Sequence, residues 1–127
     1  MSKKILIITD GTESINRIAN LISGALTEHS VNICSAEKFE GTDLLPAAIF
    51  FIGCENPSPA SFSYLEEMLK HINLASRKCG LFSVNDKTLT YLTDIVKDSD
   101  ASIGSPLHVK NNDIPKPDLD KWIKGII

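Results

Sequence analysis

Several things are scarce in this 127-residue sequence, and each scarcity removes a class of protein. Cysteine occurs three times, as Cys34, Cys54 and Cys79, an odd number with no CxxC pair. Neither a disulfide framework nor a zinc ligand set is expected, and a reducing cytoplasm is the expected setting. The three histidines, His29, His71 and His108, lack metal-ligand spacing as well. No apolar run approaches the ~20 residues that a membrane helix needs. The opening Met1-Ser2-Lys3-Lys4 leads into Ile5-Leu6-Ile7-Ile8-Thr9 and stops at Asp10, too soon for a secretory signal. Basic charge is also in short supply, with 13 Lys and Arg against 16 Asp and Glu and a net charge of -3. The lysines are scattered, so no basic stripe exists to neutralise a nucleic-acid backbone. Neither a membrane nor a nucleic acid is an expected partner.

What is present is an alternation of apolar runs and helical periodicities. With 43% hydrophobic and 23% charged residues, the chain has the composition of one globular domain over residues 1–127. Ile5 to Thr9 and Ala48 to Gly53 are nearly unbroken apolar runs, as in central parallel strands covered on both faces. Val31, Ile33 and Ser35 alternate with polar neighbours, which predicts a strand nearer an edge. Cys79 to Val84 predicts a fourth strand, and Ala101 to Val109 a fifth, interrupted by Pro106. Between them, Ile15, Ile18, Ala19, Ile22, Ala25 and Leu26 recur at helical spacing, as do Phe62, Leu65, Met68, Leu69 and Ile72. Leu89, Leu92, Ile95 and Val96 predict another helix with Asp86 as its cap, and Ser63 with Glu66 forms a candidate capping box. Pro117 and Asp118 open a last helix whose apolar side holds Leu119, Trp122, Ile123 and Ile126. The stretch from Glu37 to Pro46 is the least patterned and reads as loop or short helix.

Strands alternating with helices imply right-handed crossovers and an α/β three-layer sandwich around a five-stranded parallel sheet. Ligands of such sheets bind beyond the carboxyl ends of the strands. Three loops therefore matter: Asp10 to Ile15, Cys54 to Ser61, and Ser83 to Thr88.

The order and spacing of these pieces resemble the flavodoxin family over nearly the whole chain. Thr12-Glu13-Ser14-Ile15-Asn16-Arg17-Ile18-Ala19-Asn20 is similar to its phosphate loop and first helix. Phe62 to Leu69 followed by Arg77-Lys78-Cys79-Gly80-Leu81-Phe82-Ser83 is similar to its third helix and fourth strand. Pro106-Leu107-His108-Val109 before a Trp122-bearing helix is similar to its C-terminal end. The resemblance implies the strand order 2-1-3-4-5, flavin mononucleotide (FMN) as cofactor, electron transport as activity and a redox protein as partner. Gly11, Thr12 and Ser14 would then lie at the phosphate, with Asn56, Ser83, Asn85 and Asp86 near the flavin ring. Cys54, Glu55, Pro57 and Val84 complete the implied site, to which no catalytic residue or metal belongs.

The phosphate loop departs from the family's S/T-x-T-G-x-T pattern. In Asp10-Gly11-Thr12-Glu13-Ser14-Ile15 only Thr12 keeps its type, while Asp10 and Ile15 replace hydroxyls and Glu13 replaces glycine. A carboxylate beside a phosphate repels it by on the order of 1–4 kcal/mol per unit-charge pair at ~4 Å. A helix N-terminus returns only about 0.3–1 kcal/mol, or ~2 when partly buried. Repulsion wins, so Asp10 and Glu13 read more simply as satisfying the loop's own N–H groups and the helix dipole. The second loop has no aromatic before Phe62 to flank a flavin, which forgoes about 0.5–1.5 kcal/mol of stacking.

Two functions of different class follow. One is an FMN-binding electron carrier with a weakened or variant site. The other is a flavin-free flavodoxin-fold module that binds a partner or another ligand. A receiver-like switch is a lesser alternative: Asp10, Ser83 and Lys110 suit it, but Gly53-Cys54-Glu55 lacks the phosphate-accepting Asp after the third strand. Cys54 lies beside the cleft, yet no histidine is near it in sequence, and a packed thiol is the simpler reading. Either function is that of a carrier or binder rather than a catalyst.

Overall fold

The structure, a computed structural model, describes residues 3–110 and 113–127. Met1 and Ser2, at the head of the predicted opening segment, lie outside the described residues. Strand β1 (Lys4–Thr9) is followed by helix α1 (Glu13–Ala25), β2 (Ser30–Ser35), the short α2 (Gly41–Leu44) and β3 (Ile49–Gly53). A 3-10 turn (Ala60–Phe62) then leads into α3 (Ser63–Leu69), β4 (Lys78–Ser83), α4 (Asp86–Lys97), β5 (Ser102–Ile103), β6 (Leu107–His108) and α5 (Lys116–Ile126). All pairings between these strands are parallel. The order is β2-β1-β3-β4-β5, with β6 also on β4, so the expected 2-1-3-4-5 topology is present. The predicted fifth strand is two fragments. Cys79 registers with Ile103 and Phe82 with Leu107, while Gly104-Ser105-Pro106 between them leaves the ladder.

Period-two alternation divides the sheet between two cores. Ile5, Ile7, Ile49, Phe51 and Phe82 face Ile15, Ile18 and Ile22 of α1 and Leu119, Ile123 and Ile126 of α5. Leu6, Ile8, Phe50, Ile52 and Leu81 face Leu44, Leu65, Leu69, Leu92 and Val96 on α2, α3 and α4, together with Phe62 of the 3-10 turn. Trp122, half-buried on the apolar side of α5, packs against the first of these cores, its ring centroid 5.5 Å from that of Phe51. Gly53 is glycine for want of room: a Cβ there would lie 2.3 Å from the Phe82 ring.

Two local expectations, both about helix caps, need correction. Ser63 caps nothing through its side chain, because the 3-10 turn precedes α3 and the Ser63 hydroxyl donates to the Ala60 carbonyl at 3.0 Å. The capping box is instead Glu40 with Asp43, which turns the unpatterned stretch into one helical turn. The cap of α4 is Asn85, whose side-chain oxygen accepts from the Lys87 N–H at 3.1 Å, and Asp86 is the first helical residue. No helix of the described residues is long and apolar enough to cross a membrane.

Candidate functional site

The carboxyl ends of β1, β3 and β4 bring the three predicted loops side by side. Gly11 opens the first with φ +83°, a left-handed angle that glycine adopts without strain, and open space lies where a Cβ would stand. The turn is held from below by Thr9 and Asn16. The Thr9 hydroxyl donates to Asn16 Oδ1 at 2.8 Å and accepts from the Gly11 N–H at 3.2 Å, while Asn16 Nδ2 donates to the Gly11 carbonyl at 3.4 Å.

Asp10 is the centre of the arrangement. Its Oδ1 accepts from the Thr12 N–H at 3.0 Å and the Thr12 hydroxyl at 2.7 Å. Its Oδ2 accepts from the Glu55 N–H at 2.8 Å, 45 residues along the chain. Three donors thus converge on one half-buried carboxylate, as they would on an anionic ligand. A second carboxylate takes a fourth donor: Glu55 Oε2 accepts from the Ser14 hydroxyl at 3.2 Å. Glu13, the first residue of α1, is exposed and lines an open groove along that helix with Gly11, Asn16, Arg17, Asn20 and Leu21. Ile15 is wholly buried in the core between α1, α5 and the sheet, so its side chain is turned away from the loop.

The second and third loops are tied to one another. The buried Ser83 hydroxyl donates to the Cys54 carbonyl at 2.7 Å and accepts from the Asn85 N–H at 3.2 Å. The Thr88 hydroxyl donates to the Glu55 carbonyl at 2.9 Å. On the far side, His108 Nδ1 lies 2.9 Å from Asp86 Oδ1, and its Nε2 lies 3.3 Å from the Val84 carbonyl. Asn56, Pro57 and Ser58 are exposed at the tip.

Cys54 is wholly buried behind this polar layer. Burial pushes its thiol well above the usual range, and the carboxylates of Asp10 and Glu66 push the same way. A thiol held protonated is a packing group and not a nucleophile. Tyr91 belongs to α4, donates to Glu66, and is raised well above the ordinary phenol by burial and by that partner. No group of three His, Cys, Asp or Glu among the described residues has the geometry to hold a metal ion.

All fourteen predicted site residues lie in or against these three loops, apart from the buried side chain of Ile15. Thr9, Asn16, Thr88 and His108 belong to the site as well. Thr9 and Asn16 carried one signal, a polar pair flanking the glycine turn. Thr88 closes the third predicted loop, but nothing in the sequence announced its bond to Glu55, and His108 carried no signal, because the partners of both lie far off in the chain. As arranged, the set does not fit a phosphate dianion. The Thr12 N–H and hydroxyl, the Ser14 hydroxyl and the Glu55 N–H are directed at the protein's own carboxylates.

Comparison with known proteins finds the same fold. No protein-family model matches the chain, and no curated protein matches it by sequence. Among solved structures, it is similar to a short-chain flavodoxin associated with a PDU bacterial microcompartment. The two are 15% identical over 99% of this chain and 97% of that one, with a TM-score of 0.86. The flavodoxin of Streptococcus pneumonia TIGR4 is 16% identical over 96% and 95% of the two chains, with a TM-score of 0.82. A Fusobacterium nucleatum flavodoxin mutant bound to flavin mononucleotide is 12% identical over 98% and 95%, with a TM-score of 0.75. The fold of this chain is therefore flavodoxin-like.

Proposed function

We propose that this chain is a flavin-free flavodoxin-fold binding module, a single domain working in a reducing cytoplasm, in which Asp10 is the resident anion of the first loop. The observation that carries the reading is the convergence of the Thr12 N–H, the Thr12 hydroxyl and the Glu55 N–H on the Asp10 carboxylate. Charge-assisted hydrogen bonds of this kind are worth about 1.5–3 kcal/mol each. A phosphate entering the same loop would displace them and meet Asp10, Glu13 and Glu55 at once. The partner that suits this surface is uncharged or cationic, seated over the exposed tip of Asn56, Pro57 and Ser58.

A second reading, an FMN-binding electron carrier with a variant site and a redox protein as partner, draws on the whole-chain likeness to flavodoxins. It needs Asp10 and Glu55 to give up their donors to the phosphate. Bound flavin would supply the redox chemistry, and the chain would supply only the setting.

Titration calorimetry with FMN separates the two. Purified protein is expected to be colourless and to release no binding heat up to about 100 μM flavin, a Kd weaker than ~−5.5 kcal/mol of binding. The D10S/E13G double variant, which restores a hydroxyl and a glycine, is expected to bind at least about tenfold more tightly. Yellow protein with stoichiometric flavin as purified would establish the carrier and end the first reading.

A further inference from the structure

The two edges of the sheet are built unequally. On one edge β5 and β6 have two residues each and are parted by Gly104-Ser105-Pro106. Short, interrupted strands and proline are the usual protection of an edge against pairing with another chain. On the other edge β2 runs six residues, Ser30-Val31-Asn32-Ile33-Cys34-Ser35, with no proline, no glycine and no charged side chain. It pairs with β1 along its whole length, and among the described residues no strand covers its outer side. Asn16 and Asn20 of α1 line a depression with Ile33, Cys34 and Ser35, and the adjoining groove reaches Leu21. Ile33 and Leu21, 38% and 42% exposed, are two of the few large apolar side chains left open to solvent.

We propose that β2 pairs with β2 of a second copy of this chain, antiparallel about a two-fold axis, so that two sheets become one. A two-fold interface must be complementary to itself. An uncharged strand meets that condition in any antiparallel register, because no like charges come opposite. The charges beyond its ends favour the same arrangement. Lys3 and Lys4 stand at the amino end, where the Lys3 carbonyl accepts from the Ser30 N–H and Lys4 is in register with Ser30, and Glu28 accompanies them. Glu37 and Glu40, accompanied by Lys38, follow the carboxyl end. Antiparallel pairing lays the lysine-rich end of one copy beside the glutamate-rich end of the other. A parallel contact would set each sign against itself. One strand edge with its flanking side chains is smaller than the ~1,200–2,000 Å² of a standard stable interface, so the dimer is a weak one that fills with concentration.

Sedimentation velocity across about 1 μM to 1 mM protein tests this in the range where weak dimers form. The expected result is a rise toward twice the chain mass, with amide exchange over residues 31–35 slowing as concentration rises. I33K alone and I33E alone each place like charges across the two-fold axis and shift the midpoint at least about tenfold upward. An equimolar mixture of I33K and I33E restores the dimer. Three results would overturn the proposal. Wild-type protein could stay monomeric throughout the range, its β2 exchange could ignore concentration, or I33K could associate as well as the wild type.

Discussion

Strand β3 and the loop after it are neighbours in the chain and opposites in how they are specified. Ile49-Phe50-Phe51-Ile52-Gly53 is wholly buried, and its residues are set by shape and volume. The fold needs each to be apolar and of roughly the right size, a requirement many sequences meet. At Glu55 the groups that matter become polar, and their meaning depends on direction. The Glu55 N–H points at Asp10, its carbonyl receives Thr88, and its carboxylate receives Ser14. A chain only 10–18% identical to flavodoxins can therefore keep their architecture while its loop turns its donors inward.

The largest effect that would break this contrast lies in the strand. Phe51 is wholly buried, packs against Trp122, and stands where a Cβ on Gly80 would come within 2.6 Å of its ring. Phe51→Ala is expected to cost about 3–5 kcal/mol in urea unfolding, through lost burial and the cavity left behind. A loss under about 1 kcal/mol would mean that the centre of the sheet is packed loosely, contrary to its burial.

A smaller effect sharpens the loop side. Asp10→Ala removes the acceptor of three hydrogen bonds, but water can take up the freed donors at this half-buried place, so the net cost is expected to be about 1.5–3 kcal/mol in all, below the sum of the three. Added inorganic phosphate should recover part of the loss by entering the vacated place, raising the variant's melting temperature with concentration and leaving the wild type unmoved. Phosphate stabilising both proteins equally would show that Asp10 is not standing where an anion would bind.

The unequal legibility of the two regions has the same origin. β1, β3 and β4 could be read from apolar runs because burial on both faces leaves that mark in the sequence. The edge strand β2 was legible from its alternation. The fifth strand was legible only in outline: Pro106 announced a break, but which residues on either side would still reach β4 depended on tertiary register. Helix starts were missed where the chemistry was unusual. Glu40 takes a capping position commonly held by Ser or Thr, and a 3-10 turn displaced the Ser63 box. At the site, the sign of the charges at Asp10 and Glu13 was plain. That Glu55 would deliver its N–H to Asp10 was not, since nothing local joins residues 45 positions apart. Nor did the sequence reveal that the Ser83 hydroxyl would donate to the Cys54 carbonyl while accepting from the Asn85 N–H, because only the pairing of β3 with β4 brings Ser83 to Cys54.

The smallest effect compares the three thiols by depth. Cys79 lies in the core and Cys54 behind the polar layer, and burial raises both well above the ordinary thiol value of 9.0. Cys34, on the open edge, is pushed up only to about 11, by partial burial and then by the Asp43 carboxylate. Below about pH 8, one unit under the ordinary thiol value, the thiols are protonated whether the chain is folded or not, and they contribute no slope. Above it the unfolded chain sheds protons that the folded chain keeps, so stability falls as pH rises. The part due to Cys34 declines from pH 9 to about 11 and then levels off, because the folded thiol ionises too. The parts due to Cys54 and Cys79 continue to decline beyond that. Urea midpoints should show no thiol slope up to about pH 8 and drop increasingly above it, with Cys34→Ser removing a minor share of the drop. Alkylation should order the same residues, Cys34 reacting first and faster with pH, Cys54 and Cys79 only through unfolding. If Cys54 reacts as early as Cys34, the layer built on Asp10, Glu55 and Ser83 opens in solution, and the contrast between a closed loop and a solid strand fails at the loop.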